Sequence, residues 1–231
     1  MIYNTRNHMR RSGKMAVVTV DFDGTLYQGN SFNVMFQAGQ KEFTYKEWAT
    51  VYRHLTVALA LGATKGKNAF RHQFFKGFAK TFKGKTEAEL DRFFEKLVDL
   101  GEKDIHYGLV EHVRKHQQKG DHVVILSGAL RPFLKAFVKK IGLDVDIIGT
   151  ELEYYPNGIC TGEIGTIVNG DEKVRKVREW MFHKKRQGLL TDDTVWAYAD
   201  SKSDLPLFEF AHYPVVVNPK SDIEKVAQQK E

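Results

Sequence analysis

Two carboxylates close the first apolar run of the chain. In "MAVVTVDFDGTLYQGNS", residues 15–31, the apolar run 16–20 is typical of a buried strand, and Asp21 and Asp23 follow it two positions apart. Two acids on one loop repel each other unless a cation or a proton lies between them. A third acid, Asp200, ends a later strand-like run. Such hard oxygen ligands suit Mg²⁺, with waters and a substrate phosphate completing its coordination.

Further residues of this pattern could bind the phosphate itself. Ser127 and Gly128 end the apolar run "HVVILSG", and Asp204 lies in "YADSKSD". A serine hydroxyl can donate a hydrogen bond to one phosphate oxygen while a lysine neutralises another. In "GDEKVRKVREW", residues 170–180, Lys173 and Lys176 lie within one helical turn, so either could face the site.

The elements that must position these residues alternate between strand and helix. Strand-like runs cover residues 16–20, 122–128, 194–200 and 213–219, and helical stretches cover 108–119, 131–141, 172–186 and 205–211. This alternation predicts an α/β fold, a Rossmann-like parallel sheet flanked by helices. Ligands of such sheets bind at the carboxyl ends of the strands, where the polar residues above fall.

A segment of different composition separates the first two strands. Residues 31–103 repeat aromatic residues and leucines at helical spacing, which predicts a helical cap inserted after the first strand. Residues 15–30 and 104–231 would then form the catalytic core, with a hairpin over 150–165 around the turn 156–158. Residues 1–14 are expected to be a disordered leader, with Met15 as an alternative start.

Bulk composition limits the function classes. The chain of 231 residues is 42% hydrophobic and 28% charged, which is ordinary for a globular protein, and no apolar run approaches the ~20 residues of a membrane span. The single cysteine, Cys160, excludes an intrachain disulfide and suits a cytoplasmic location. The net charge of +6 suits an anionic ligand, but no recognition motif accompanies it, so no nucleic-acid partner is expected.

Four segments together resemble a known family. "DFDGT", "ILSG", "GDEKVRKVREW" and "YADSKSD" resemble, in this order, the four motifs of the haloacid dehalogenase-like hydrolases, over residues 21–204. The helical insert, and "TGEIG" before "GDEKV", are most similar to the branch that includes phosphoserine phosphatases. The resemblance implies a Mg²⁺-dependent phosphomonoester phosphatase that acts on a small phosphorylated metabolite.

The resemblance also implies roles for the acids. Asp21 would attack phosphorus to form an aspartyl-phosphate, and Asp23 would protonate the leaving oxygen and then activate water. The carboxylates of Asp21 and Asp200 and the backbone carbonyl of Asp23 would hold Mg²⁺, with Asp204 supporting the metal shell or orienting the lysine. Relatives that remove halide lack the second acid, so Asp23 favours a phosphatase or, less often, a phosphomutase.

The same resemblance places the phosphate and substrate contacts. Ser127 and Lys173 would bind the transferring phosphoryl group, and Gly128 and Ser203 are expected beside it. Independently of the resemblance, the insert is basic; most of its cations are expected on a solvated helix face, and Arg71 is expected to meet a second anionic group of the substrate.

The expected substrate departs from the phosphoserine phosphatases. These carry a glutamate for the substrate amine where this chain has Asn30, so poor activity on phosphoserine is expected. The alternatives are a phospholipid-headgroup phosphatase at a membrane surface, which is not favoured, a phosphomutase, and a non-catalytic phospho-ligand binder. The pattern leaves the oligomeric state open.

Overall fold

A six-stranded sheet forms the centre of the protein. The computed structural model describes residues 2–4 and 15–219. The strands are β1 (Ile2–Asn4), β2 (Val17–Val20), β3 (His122–Leu130), β4 (Asp146–Thr150), β5 (Leu152–Tyr154), β6 (Cys160–Ile164), β7 (Val195–Ala199) and β8 (Tyr213–Val217). The sheet order is β1-β8-β7-β2-β3-β4, and β5 and β6 form an antiparallel hairpin. Five strands of the sheet are parallel and β1 is antiparallel to β8, which confirms the predicted α/β class.

Four helices follow β2 and four more flank the sheet. They are α1 (Ser31–Glu42), α2 (Tyr45–Lys65), α3 (Lys67–Thr81), α4 (Glu87–Gly101), α5 (Tyr107–Gln118), α6 (Arg131–Ile141), α7 (Asp171–Arg186) and α8 (Leu205–Phe210). Local sequence sets several boundaries. Thr44 and Thr86 each begin a helix with a capping box, in which a glutamate three residues later returns the hydrogen bond. Gly142 ends α6 in the left-handed conformation.

Apolar residues cover both faces of the sheet. Side chains alternate along β2, so Val18 and Val20 join one cluster, with α5 and α6, while Val17 joins another, with α7 and α8. The first cluster extends from Phe22 into the aromatic residues of α3 and α4. The helices of residues 31–101 therefore share a continuous core with the sheet.

The register of β2 with its neighbours brings the polar strand ends together. Val20 pairs with Ile125 of β3 and with Tyr198 of β7. One residue further on, Asp21 donates its backbone N–H to the carbonyl of Tyr198 at 2.8 Å. Ser127 and Asp200 thus lie on either side of Asp21, as expected for neighbouring parallel strands.

The structure adds three details to the expected elements. The predicted hairpin is confirmed, but β4 before it was not predicted, because the short run after Asp146 is flanked by charge and lacks a clear period. Ser127 and Gly128 lie inside β3, which continues past a register irregularity to Leu130.

The ends of the chain are described only in part. Within the predicted leader, residues 2–4 add an edge strand, because their backbone pairs with residues 215–217, while residues 1 and 5–14 lie outside the described residues. The last part of the predicted core, 220–231, lies outside them too. Among the described residues, no helix combines the length and the apolar composition needed to cross a membrane.

Candidate active site

Asp21 lies at the carboxyl end of β2 and is almost fully buried. Its Oδ1 accepts hydrogen bonds from the backbone N–H of Phe22 at 2.7 Å and from Nζ of Lys173 at 2.8 Å. Burial, together with the charges of Asp204 and Asp200, raises the pKa of Asp21 from 3.8 to about 7 against the attraction of Lys173. The carboxylate is therefore held in place in a setting that disfavours its charge.

Lys173 is the buried lysine of the site. It lies in the first turn of α7 with 2% of its surface exposed, and its Nζ contacts Asp204 Oδ1 at 2.6 Å as well as Asp21. Burial alone would lower the pKa of Lys173, but the two carboxylates outweigh it and raise that pKa. Lys176, the second lysine of this helical turn, points away from the acids and pairs with Glu179 at 3.7 Å.

Asp204 positions the lysine from the opposite side. Its Oδ2 accepts a hydrogen bond from the Ser201 hydroxyl at 2.7 Å, and that hydroxyl lies 2.7 Å from the hydroxyl of Ser203. Burial pushes the pKa of Asp204 up, but Lys173 and Ser201 outweigh it, so the pKa is lowered. The surroundings of Asp204 thus favour its ionised form, which faces the lysine.

Asp200 completes a cluster of three buried acids. Asp21, Asp200 and Asp204 each place one carboxylate oxygen within 4.8 Å of the others. Gly24 passes directly against Asp200: its φ is +82°, and a Cβ there would lie 2.1 Å from Asp200 Oδ2. Three carboxylates face one lysine in this cluster, so its charge and its oxygen donors fit a divalent cation such as Mg²⁺.

Asp23 lies on the other side of the loop and turns toward α1. Its carboxylate accepts hydrogen bonds from the backbone N–H of Ser31 at 2.8 Å and from the Ser31 hydroxyl at 2.6 Å. Burial raises the pKa of Asp23, against these two bonds and the charge of Arg71. A carboxyl group with a raised pKa is suited to proton transfer.

Two predicted site residues also serve the local structure. The side chain of Asn30 caps α1 by accepting a hydrogen bond from the N–H of Phe32 at 2.8 Å. Ser127 is buried, and its Oγ accepts a hydrogen bond from the N–H of Ala129 at 3.2 Å. The side-chain oxygens of Asn30 and Ser127 therefore have protein partners already.

A cavity of about 330 Å³ opens above these groups. Apart from Asp204, all the predicted site residues line it: Asp21, Asp23, Asn30, Arg71, Ser127, Gly128, Lys173, Asp200 and Ser203. The lining residues that sequence reasoning missed include Gln28, Phe32, Asn33, Phe75, Asn169 and Ser201. Phe75 could have been found one helical turn after Arg71, whereas Asn169 carries no signal beyond its place before α7.

Residues 18–209 match the family model of the haloacid dehalogenase-like hydrolases. The chain belongs to this family. The match covers most of the chain and includes every acid and the lysine of the cluster. Each of the four segments that carry the resemblance contributes lining residues to the cavity.

Comparison with known proteins of the family gives the following similarities. The chain is 33% identical over 119 residues to a histidinol-phosphatase of Neisseria meningitidis, covering 51% of this chain and 53% of that protein. It is 27% identical over 221 residues to the phosphoserine phosphatase SerB1 of Mycobacterium tuberculosis, covering 93% of this chain and 68% of that protein. The chain thus spans about half the length of the first of these relatives.

Solved structures resemble the fold over nearly their whole length, and the following is an example. A protein of unknown function from Bordetella pertussis superimposes with a TM-score of 0.77 at 23% identity, covering 95% of this chain and 96% of that one. At this identity the similarity supports the fold, and it extends to the helices of residues 31–101. The Rossmann-like fold with a helical insert is therefore shared with a solved structure of similar length.

Proposed function

We propose that the protein is a phosphomonoester phosphatase that forms an aspartyl-phosphate on Asp21. The observation that carries the proposal is the placement of this buried carboxylate beneath the cavity, oriented by Lys173 and by the N–H of Phe22. A second carboxylic acid, Asp23, lines the same cavity with a raised pKa. The names of the two relatives, a histidinol-phosphatase and a phosphoserine phosphatase, support the same reaction class.

In the first step, an oxygen of Asp21 attacks phosphorus as the ester P–O bond breaks. The proton of Asp23 passes to the leaving oxygen, so the product departs as a neutral alcohol. In the second step, Asp23 accepts a proton from water as that water attacks phosphorus. The acyl-phosphate bond breaks, inorganic phosphate leaves, and Asp21 is regenerated.

The positive groups of the site would stabilise the transferred phosphoryl group. Lys173, held by Asp204, contacts Asp21, and Ser127 and Gly128 line the same cavity. Asp21 and Asp200, with the backbone carbonyl of Asp23, would hold Mg²⁺, which would offset the charge of the phosphoryl oxygens. This arrangement supplies the electrostatic stabilisation that phosphoryl transfer needs.

We also propose that residues 31–103 act as a cap that selects the leaving group. The cavity has a floor from the strand ends, while Phe32, Arg71 and Phe75 line it from α1 and α3. Arg71 would bind an anionic group of the substrate, and the two phenylalanines would cover an apolar part. A cavity of about 330 Å³ suits a small metabolite.

Phosphoserine is not the substrate that this lining favours. Asn30 is neutral, and its Oδ1 is already engaged in capping α1. An amide in that place cannot form an ion pair with the substrate ammonium. We therefore propose that activity on phosphoserine is low relative to other phosphomonoesters.

The experiment that tests the phosphatase proposal is hydrolysis of p-nitrophenyl phosphate with Mg²⁺ and with EDTA. Asp21→Asn should abolish turnover, and Asp193→Asn, which alters an exposed acid paired with Lys185, should leave it unchanged. Parent enzyme that releases phosphate only with Mg²⁺ supports the proposal. Transfer of the phosphoryl group within a substrate without free phosphate would indicate a phosphomutase, and binding of phosphate esters without turnover would indicate a binder; either overturns it.

A further inference from the structure

The helical pair α2–α3 carries most of the positive charge of the protein. Residues 44–86 contain nine lysines and arginines and one acid, Glu47, and so have a net charge of +8. The whole chain has a net charge of +6, so all the other residues together carry −2. Such asymmetry creates a positive potential on one side of the molecule, which attracts anionic surfaces.

Several of these cations form ion pairs within the protein or line its cavity. Lys76 and Lys80 pair with Glu163 of the hairpin, and Lys85 pairs with Glu47 at 3.4 Å. Arg71 faces the cavity. These four cations therefore have roles within the fold.

Three other cations of this region are exposed on α2. Lys46, Arg53 and Lys65 all point to solvent, and in the described parts of the chain no ion pair involves any of them. Lys46 and Arg53 lie seven residues apart and therefore on one side of the helix. They are available to an external anion.

The same helix exposes an apolar stripe next to these cations. Tyr45, Tyr52 and Leu59 recur every seven residues and are 90%, 56% and 59% exposed. Alanine and threonine at positions 49, 56 and 63 fill the spaces between them, and these positions are exposed as well. Val57, one turn after Arg53 on the cation side of the helix, is 44% exposed. A stripe at this spacing lies along one face of the helix, which we call the α2 face.

We propose that the α2 face docks on an anionic membrane surface. The helix would lie in the interface, with Leu59 and the tyrosine rings among the headgroups and acyl chains and with Lys46 and Arg53 on anionic lipids. The interaction is peripheral, and it does not depend on the proposed phosphatase activity.

Two other occupants fit the α2 face less well. A nucleic acid would match the charge and could stack on tyrosine rings, but it offers nothing for the aliphatic side chains Val57 and Leu59. A second copy of this chain would bring Lys46 and Arg53 against the same cations, because α2 carries Glu47 as its one acid and that acid pairs with Lys85. Charge and apolar exposure together favour the lipid surface.

The test is co-sedimentation of the full chain with vesicles of phosphatidylcholine alone and of phosphatidylcholine with one quarter phosphatidylglycerol. Binding is expected to the anionic vesicles only, and to weaken at high salt. Lys46→Gln with Arg53→Gln should weaken it about 25-fold, from about fivefold for each cation removed. Leu59→Glu should weaken it by at least about tenfold.

Matched controls separate the α2 face from general effects. Lys115→Gln with Lys119→Gln removes two exposed cations of the α5 region, and Leu189→Glu places the same acid at a leucine that is 48% exposed elsewhere. Both controls should bind like the parent protein, and all variants should keep its unfolding temperature, because every altered side chain is exposed.

Three results would overturn the proposal. The first is no binding to anionic vesicles, or binding that the α2 variants and the controls reduce equally. The second is tighter binding to a labelled RNA or DNA oligonucleotide than to the vesicles, unaffected by Leu59→Glu. The third is a dimer in light scattering that Leu59→Glu dissociates, which would assign the α2 face to a second copy. Absence of p-nitrophenyl phosphate hydrolysis by the parent protein would contradict the proposed function but would not affect the proposal that the α2 face docks on a membrane.

Discussion

The carboxylate of Asp21 is predicted to destabilise the metal-free protein at neutral pH. Burial raises its pKa from 3.8 to about 7, so the folded protein binds this proton more tightly than the unfolded chain does. The stability of the parent protein should therefore fall as pH rises from about 4 to about 7, and the full cost remains above that range. A pKa that rises from 3.8 to about 7 corresponds to about 4 kcal/mol, at about 1.4 kcal/mol for each tenfold change in proton affinity.

Asp21→Asn removes the charge and keeps the shape of the side chain. At pH 8 in EDTA, we expect the free energy of unfolding of the variant to exceed that of the parent protein by about 2–4 kcal/mol. At pH 5 the difference should be less than about 2 kcal/mol. The gain should reflect mainly that a charged carboxylate is no longer buried, with a smaller part from relief of the repulsion by Asp204 and Asp200. Adding Mg²⁺ should stabilise the parent more than the variant, because the cation would remove the same repulsion.

Asp204→Asn provides a comparison within the same site. Asp204 contacts the same lysine as Asp21, but its pKa is lowered where that of Asp21 is raised. The pKa of Asp204 is lowered, so its ionised form stabilises the fold above the ordinary carboxyl range, and this stability is lost as pH falls through the lowered pKa. The variant should be less stable than the parent at both pH 5 and pH 8.

Urea unfolding followed by circular dichroism at the two pH values provides the assay, with Asp193→Asn as the exposed control. An Asp21→Asn protein that is no more stable than the parent at pH 8 would refute the reasoning. So would a stability difference that is the same at both pH values.

Three further predictions concern single contacts. Gly24→Ala should weaken Mg²⁺ affinity by about 10- to 100-fold, because the new Cβ would displace the Asp200 carboxylate. Titration of the activity with Mg²⁺ measures this affinity. An unchanged Mg²⁺ dependence would count against the cluster as the metal site. Tyr198→Phe should cost about 1–2 kcal/mol in urea unfolding, because it removes the hydroxyl that lies 2.8 Å from Nε2 of the buried His116; a neutral result would mean that another group satisfies that nitrogen. Arg71→Ala should raise KM for a substrate with a second anionic group far more than it lowers kcat, and should change KM for p-nitrophenyl phosphate little; equal effects on both substrates would contradict a binding role for Arg71.

Much of the fold and of the candidate site could be predicted from local sequence patterns. The apolar run before Asp21 and the alternation of strands and helices predict a parallel sheet, and parallel strands bring their carboxyl ends to one edge. The position of Asp21, Ser127 and Asp200 at the ends of such runs therefore indicated one site. These features depend on short-range periodicity, which a single sequence contains.

Other features were decided by long-range packing. Lys173 and Lys176 occupy the same helix turn and have the same chemistry, and only the packing of α7 against the sheet buries Lys173 and leaves Lys176 half-buried. The β4 strand has no clear period of its own and forms because β3 offers it a backbone partner. Asn30 was placed correctly at the cavity, yet its use as the cap of α1 depends on where that helix begins.

The sequence by itself determined which groups can carry the chemistry, since acids, a serine and lysines at strand ends and helix starts are local facts. The tertiary structure alone decided how these groups meet: which lysine faces Asp21, how closely Gly24 approaches Asp200, and which side of α2 stays uncovered. The physical reason is that the burial of a side chain depends on neighbours that are distant in the chain. Each pKa and each exposed surface depends on that burial, and local periodicity in the sequence does not encode it.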